Sequence, residues 1–257
     1  MAEFTGKVAL VTGTTGIGRA VALRLSEGGA AVVALGIDAA GNDALARTGA
    51  AIHVRGTDVA DPAQVEEAFR DIERKFGGLD IIVNAAAIHP YGDAVTTDPA
   101  LFQRCLAVNV GSVHLTAHWG VPLMRKRGGG AIVNISSVQG HACQPGVAAY
   151  VASKGAIHAL TRAMALDFAA DGIRVVSVSP GSVRTPILEL AARTFDGPGA
   201  DIEAAFARFG AAHPIGRIGE PDEIAELVAF LASSRAGFIT GSDHVIDGGL
   251  TAAIGVR

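Results

Sequence analysis

The residues best suited to chemistry stand at Tyr150-Val151-Ala152-Ser153-Lys154. They follow Ala148 in an apolar, alanine-rich segment that reads as a helix, so side chains four apart share one face. A phenol and an ammonium facing the same space make an acid–base couple. The cation stabilises the phenolate and lowers its pKa from about 10 towards working pH, as proton exchange with an alcohol requires. Ser137 lies just past the apolar run 131–135, where open α/β sheets place their ligands. Its hydroxyl is positioned to hold a substrate oxygen beside Tyr150. Taken alone, each residue reads better as an ordinary surface or loop side chain, and it is the combination that singles them out.

A second constellation is Thr12-Gly13-Thr14-Thr15-Gly16-Ile17-Gly18-Arg19, between the apolar run 8–11 and a segment of small and apolar residues. Glycine lets the chain turn sharply and lets backbone approach a pyrophosphate, while the last glycine lets helix pack on strand. The helix N-terminus then offers unpaired N–H groups to phosphate. The spacing is G-x-x-x-G-x-G, not the commoner G-x-G-x-x-G.

The elements that must position these residues follow a regular rhythm. Apolar runs at 8–11, 31–35, 51–54, 79–83, 131–135, 174–178 and 243–246 suit strands of a parallel sheet buried on both faces. Helical patterns at 61–76, 99–126, 148–171 and 221–233 alternate with them. Asp61-Pro62 and Glu220-Pro221 mark helix starts. The expectation is one α/β domain over 1–257: a doubly wound, Rossmann-type, mostly parallel seven-stranded sheet with helices on both faces. The long irregular stretch 185–214, centred on Asp196-Gly197-Pro198-Gly199, reads as a lid over the site.

Composition narrows the partners. The 257 residues carry a formal net charge of −4, which offers nothing to nucleic acid or an anionic membrane. Mean hydropathy is +0.37, yet the apolar runs are too short to span a bilayer. The start Met1-Ala2-Glu3-Phe4 does not read as a signal peptide. The two cysteines, Cys105 and Cys143, suit reduced thiols and a cytoplasmic location.

In its motifs the chain resembles the short-chain dehydrogenase/reductase family, from about Lys7 to Gly249. The matching segments are Thr12-Gly13-Thr14-Thr15-Gly16-Ile17-Gly18, Asn84-Ala85-Ala86-Ala87, Asn109, Ser137, Tyr150-Val151-Ala152-Ser153-Lys154, Pro180-Gly181 with Thr185, and Ile246-Asp247-Gly248-Gly249. The resemblance implies hydride transfer between a nicotinamide cofactor and a secondary alcohol or ketone. It implies a catalytic tetrad of Asn109, Ser137, Tyr150 and Lys154, with Asn109 holding a water in a proton relay and Lys154 also binding the nicotinamide ribose. Gly13, Thr15, Gly16, Ile17, Gly18, Asn84, Ala85 and Ala86 would contact cofactor, Asp58 and Val59 would flank the adenine, and Pro180, Gly181, Val183 and Thr185 would sit at the nicotinamide end. A homotetramer, packed through 99–126 and 148–171, is implied as well. Alanines stand where the family has a second asparagine and a glycine in Asn84-Ala85-Ala86-Ala87, which weakens one cofactor contact at most.

The cofactor choice turns on Leu35-Gly36-Ile37-Asp38. Gly36 occupies the usual acidic position, leaving room and deciding nothing, and Ile37 is not the arginine that welcomes a 2′-phosphate. Asp38 is near enough to repel that phosphate, which favours NAD over NADP. Gln139, His141 and Gln144 make the loop after Ser137 polar and are candidate substrate contacts, inclining the substrate towards a sugar or polyol. His89 and His213 read as polar loop residues, and with no metal-ligand spacing no metal site is expected. Trp119 reads as packing, and Arg125-Lys126-Arg127 as a helix C-terminus. Two other readings stay open: an NADPH-dependent reductase of 3-oxoacyl or hydrophobic ketones, and a cofactor-binding regulatory protein without catalysis.

Overall fold

Strand β1 (Val8–Thr12) is buried at every position, as a β-branched-rich run in the middle of a parallel sheet must be. In the computed structural model, which describes residues 2–253, it is flanked by β2 (Ala31–Gly36) and β4 (Ile81–Asn84). With β3 (Ile52–Gly56), β5 (Gly130–Ile135), β6 (Ile173–Pro180) and β7 (Asp243–Ile246) they form a seven-stranded sheet in the order β3-β2-β1-β4-β5-β6-β7. Every neighbouring pair is parallel. The order reverses between β1 and β4, and at such a switch point the loops diverge and leave a crevice above the strand ends.

Alternate residues of β1 serve opposite layers, because successive strand side chains point to opposite faces. Ala9 and Val11 pack with Val21 and Leu25 of α1 (Gly16–Glu27) and Val228 of α9 (Pro221–Ala232). Val8 and Leu10 pack with Phe69 and Ile72 of α3 (Pro62–Phe76) and Val121 of α5 (Ser112–Lys126). Each fully buried leucine, such as Leu10 or Leu25, contributes about 1.5–3 kcal/mol. Gly120 brings α5 close to the sheet: a Cβ there would lie 2.5 Å from Ile82 Cδ1. The basic end of α5 is committed to ion pairs, Arg125 to Asp171, Lys126 to Glu73 and Arg127 to Asp80, and Trp119 packs on the second layer.

The structure refines one element of the sequence reading and overturns another. The segment 99–126 is one unbroken helix, as read, but its middle turn Ala107–Gly111 is π-helical and divides it into α4 (Pro99–Leu106) and α5; such turns cluster at functional sites. The segment 185–214, by contrast, is not irregular. It holds α7 (Pro186–Asp196) and α8 (Ile202–Ala211), whose N-caps Thr185 and Asp201 accept from Leu188 N and Ala204 N. The sequence carried both caps, with Pro186 at the first helical position. The remaining helices are α2 (Ala39–Ala46) and α6 (Ala148–Phe168).

Candidate active site

At the switch point lies a cleft of about 760 Å³. Its floor is the turn from β1 into α1. Gly13 has φ +91° and Gly16 φ +49°, a left-handed backbone that favours glycine. A Cβ on Gly18 would lie 2.3 Å from the Gly13 carbonyl oxygen, so Gly18 serves the helix–turn packing and does not itself line the cleft. Helices α2, α3 and α4 are capped by Asp38, Asp61 and Asp98, but the Thr15 side chain makes no capping bond to α1. Its first-turn N–H groups therefore face the cleft with an uncompensated positive dipole end. At the far end Thr57 Oγ1 is buried without a partner. An uncapped helix start, a glycine turn and an orphan hydroxyl along one trench fit an extended dinucleotide.

Thr15, Ile17, Asp38, Asp58, Val59, Ala85, Ala86, Pro180, Gly181, Val183 and Thr185 all line that trench. Asn84 does not. Its carbonyl accepts from Thr116 Oγ1 at 2.8 Å and its amide donates to Asn134 Oδ1 at 2.8 Å, while Asn134 donates to Thr161 at 3.0 Å. Asn84 thus ties β4 to β5 and α5 beneath the floor. Ala85 and Ala86 line the trench in its place, with amides that donate to Thr12 Oγ1. Gly36 leaves no room for a side chain: a Cβ would meet Thr14 Oγ1 at 2.3 Å. Asp38 accepts from Ala40 N and Gly41 N, and Arg104, which also lines the trench, is paired with Asp58 at 2.8 Å.

The structure brings Ser137, Tyr150 and Lys154 together where β5 meets α6. Lys154, 2% exposed, donates to the Ile135 carbonyl at 2.8 Å, and its Nζ lies 5.3 Å from the centre of the Tyr150 ring. Burial pushes the Lys154 ammonium down to about 8. Burial likewise raises the Tyr150 phenol, and a hydrogen bond with Ser137 opposes that rise. The sequence expectation of a tyrosine lowered by its lysine is therefore reversed in the protein alone, because desolvation disfavours the charged form of each group. Asn109 sits in the π-helical turn, 1% exposed. Its Nδ2 donates to Ile88 O at 3.0 Å and Ser153 Oγ at 2.9 Å, and its Oδ1 accepts from Ile88 N at 2.9 Å. The amide is thus spent on holding the Ile88 segment, and it has no free donor for a relay water.

Of the three proposed substrate contacts, Gln139 and Gln144 line the cleft. His141 does not: its Nε2 pairs with Asp243 at 2.7 Å and its ring stacks on His158, 4.1 Å away. His89 is the residue that sequence reasoning missed. It is buried, its ring centre lies 4.0 Å from that of Tyr150 and 4.8 Å from that of Tyr91, and Nδ1 has no partner. Burial, reinforced by the Lys154 charge, brings its pKa down to about 4, so it is neutral at working pH. No spacing to Tyr150 announced this, because the Asn109–Ile88 clamp that seats it is tertiary. His213 is also buried, accepting from Ser182 N at 3.1 Å and bonded to Phe209 O at 2.9 Å. Beyond the polar residues, Tyr91, Leu188 and Phe195 supply an apolar wall.

A family model described as enoyl-(acyl carrier protein) reductase matches residues 11–251. The cis-4-hydroxycyclohexanecarboxylate dehydrogenase of Sinomonas cyclohexanicum is 40% identical over 256 residues, covering 97% of this chain and 98% of that protein. The ligand-free aldohexose dehydrogenase of Thermoplasma acidophilum superposes with TM-score 0.93 at 34% identity, covering 100% of this chain and 98% of that one. The L-sorbose reductase of Gluconobacter frateurii, in complex with NADPH and L-sorbose, gives TM-score 0.92 at 29% identity, covering 99% and 100%.

Proposed function

The chain belongs to the short-chain dehydrogenase/reductase family, as an NAD(P)-dependent oxidoreductase of CH–OH groups, and from that premise we propose that it oxidises a secondary hydroxyl on a sugar or cyclic polyol with NAD. The observation that carries the reading is the convergence of Ser137, Tyr150 and Lys154 beside two cleft residues with unpartnered buried polar atoms, Gln139 Oε1 and His89 Nδ1. Such atoms are costly to leave unpaired; both are sealed in the protein alone, and a turn of either side chain towards the cleft would give it a polyol hydroxyl as partner. The wall of Tyr91, Leu188 and Phe195 takes the C–H face of a ring. Relatives whose names refer to an aldohexose, L-sorbose and a hydroxylated cyclohexane ring lean the same way.

When bound along the trench, a nicotinamide dinucleotide would supply the hydride acceptor; the turn Gly13–Ile17 would hold its phosphates, and Pro180, Gly181, Val183 and Thr185 would hold its ring end. The protein's own residues handle the oxygen and its proton. Ser137 holds the substrate oxygen against Tyr150, and Tyr150 takes the hydroxyl proton as general base. Lys154, anchored on Ile135 O, places its charge beside the forming phenolate and would hold the ribose of a bound cofactor. Asn109 keeps the Ile88–His89 segment in place, so it acts as a positioning residue. Helices α7 and α8 form the lid of this single domain.

NAD is favoured because Asp38 stands as the negative group at the end of β2 and Arg104 is neutralised by Asp58. No helix among the described residues is long and apolar enough to cross a membrane. A cytoplasmic homotetramer completes the proposal, with exposed Leu101 on α4 and Leu166 on α6 in the contacts; a monomeric mass by light scattering would contradict it. The functional reading is tested by following nicotinamide absorbance across sugars, polyols and simple secondary alcohols, with NAD and NADP run separately. Turnover of a sugar or cyclic polyol with NAD is the expected result. Activity confined to NADPH and hydrophobic ketones would overturn both the substrate and the cofactor choice.

A further inference from the structure

Behind the wall that carries Ser137, three side chains with no part in the reaction converge. His141 ends the 3₁₀ turn Val138–Gly140, His158 lies one turn beyond Lys154 in α6, and Asp243 opens β7. Their ligand atoms all lie within 4.8 Å of one another. His141 Nε2 is 2.7 Å from Asp243 Oδ2 and His158 Nε2 is 3.5 Å from Oδ1. The two imidazoles are stacked, 19° from parallel, so their in-plane lone pairs run side by side, and the His141 ring must turn for both Nε2 atoms to meet one ion. We propose that His141, His158 and Asp243 form a binding site for one divalent transition-metal ion of the zinc, nickel or cobalt type, which ties the loop bearing Ser137 and Gln139 to α6 and β7.

Two imidazoles and one carboxylate are the donor set such ions take, with water completing a tetrahedron. The carboxylate already has an outer shell: Ser177 Oγ and Ser179 Oγ donate to Asp243 Oδ1 at 2.6 and 2.9 Å. Outer-shell bonds of this kind orient a metal ligand. Because Ser179 spends its proton on Asp243, its oxygen accepts from His158 Nε2, 2.9 Å away. Metal binding requires that Nε2 proton to move to Nδ1 or be released to solvent. His158 is buried and held tightly, since a Cβ on Gly140 would reach its Cε1 at 2.5 Å. His141 is 45% exposed at its side chain and supplies the movement that draws the three donors together. The Arg162 and Lys154 charges face His158 and oppose a cation, whereas Asp243 attracts one.

The site explains why two histidines far apart in the chain share one acid, and it links metal occupancy to a cleft wall. The exposed pair His114 and His118, one turn apart on α5 with ring centres 6.0 Å apart, is the competing location for an added ion. The test uses the full chain with Co²⁺ and Zn²⁺ alone, by calorimetry and the cobalt d–d spectrum, in wild type, His141→Ala, His141→Gln and His114→Ala. The expected result is one equivalent with a tetrahedral cobalt spectrum. His141→Ala and His141→Gln, exposed changes that leave the fold intact, then weaken binding about a hundredfold, since loss of even an outer-shell partner costs about 10–100-fold. His114→Ala leaves it unchanged. Zinc also slows amide exchange in residues 138–144. Absence of binding, or binding lost in His114→Ala and kept in His141→Ala, would overturn the proposal.

Discussion

Replacing Asp38 by asparagine isolates one charge at the adenosine end of the cleft. Asp38 has two jobs in the structure: its Oδ1 caps α2 through Ala40 N and Gly41 N, and its charge faces the trench. Asp38→Ala removes both and destabilises α2 by about 0.5–2 kcal/mol, whereas asparagine keeps an oxygen for the cap. A 2′-phosphate carries about −1.5 to −2 charges. At a separation of about 5 Å in water, each unit of like charge costs about 0.8 kcal/mol, for a total of about 1.2–1.7 kcal/mol. That is about tenfold in relative kcat/KM, and more where the trench is drier. The assay compares initial rates with NAD and NADP at low and high salt for both proteins. The account expects the NADP/NAD ratio of kcat/KM to rise about tenfold in Asp38→Asn, and the gap to narrow with salt as the charge is screened. A ratio unchanged at low salt would refute the gating argument.

Other outcomes follow from the same geometry. His89→Ala should lower kcat/KM for a polyol about tenfold, through one lost hydrogen bond of about 1–1.5 kcal/mol, and leave cofactor affinity unchanged; titration of cofactor fluorescence against rates separates the two effects. Asn109→Ala leaves the Ile88 amide and carbonyl without their partner, which costs about 1–3 kcal/mol for each group that stays buried, so the thermal midpoint should fall by several degrees. Alcohol oxidation should speed up as pH rises, because burial holds the Tyr150 proton on. In Lys154→Met that rise should move to still higher pH or vanish, since the phenolate loses its cation, and a pH–rate profile reads this directly.

Much of the architecture could be read because its signals are local. Buried parallel strands such as β1 and β5 must be apolar throughout, and Tyr150 and Lys154 share a face by helical geometry alone. Other features depended on contacts between distant segments. Asn84 looks like a cofactor residue in sequence, but Thr116 and Asn134, brought to it by α5 and β5, consume its amide. His141 stands in a polar loop beside Ser137, yet Asp243, at the start of the last strand, draws it out of the cleft. His89 gains its place only because Asn109 clamps Ile88 from both sides. The sign of the Tyr150 shift was missed because burial, which a sequence does not display, holds the proton on the phenol. The helices of 185–214 are the exception: Thr185-Pro186 and Asp201 were legible caps that the glycines around Pro198 obscured.

The central claim is that Tyr150 exchanges the substrate proton while the trench holds the nicotinamide, and Tyr150→Phe tests it most directly. The measurement is steady-state nicotinamide absorbance with the best substrate, alongside cofactor binding by fluorescence titration on the same sample. The account predicts a loss of turnover of about 10²–10⁴-fold, the usual contribution of a general base, with cofactor affinity unchanged. Turnover close to that of the unaltered protein would contradict it and remove Tyr150 from the chemistry.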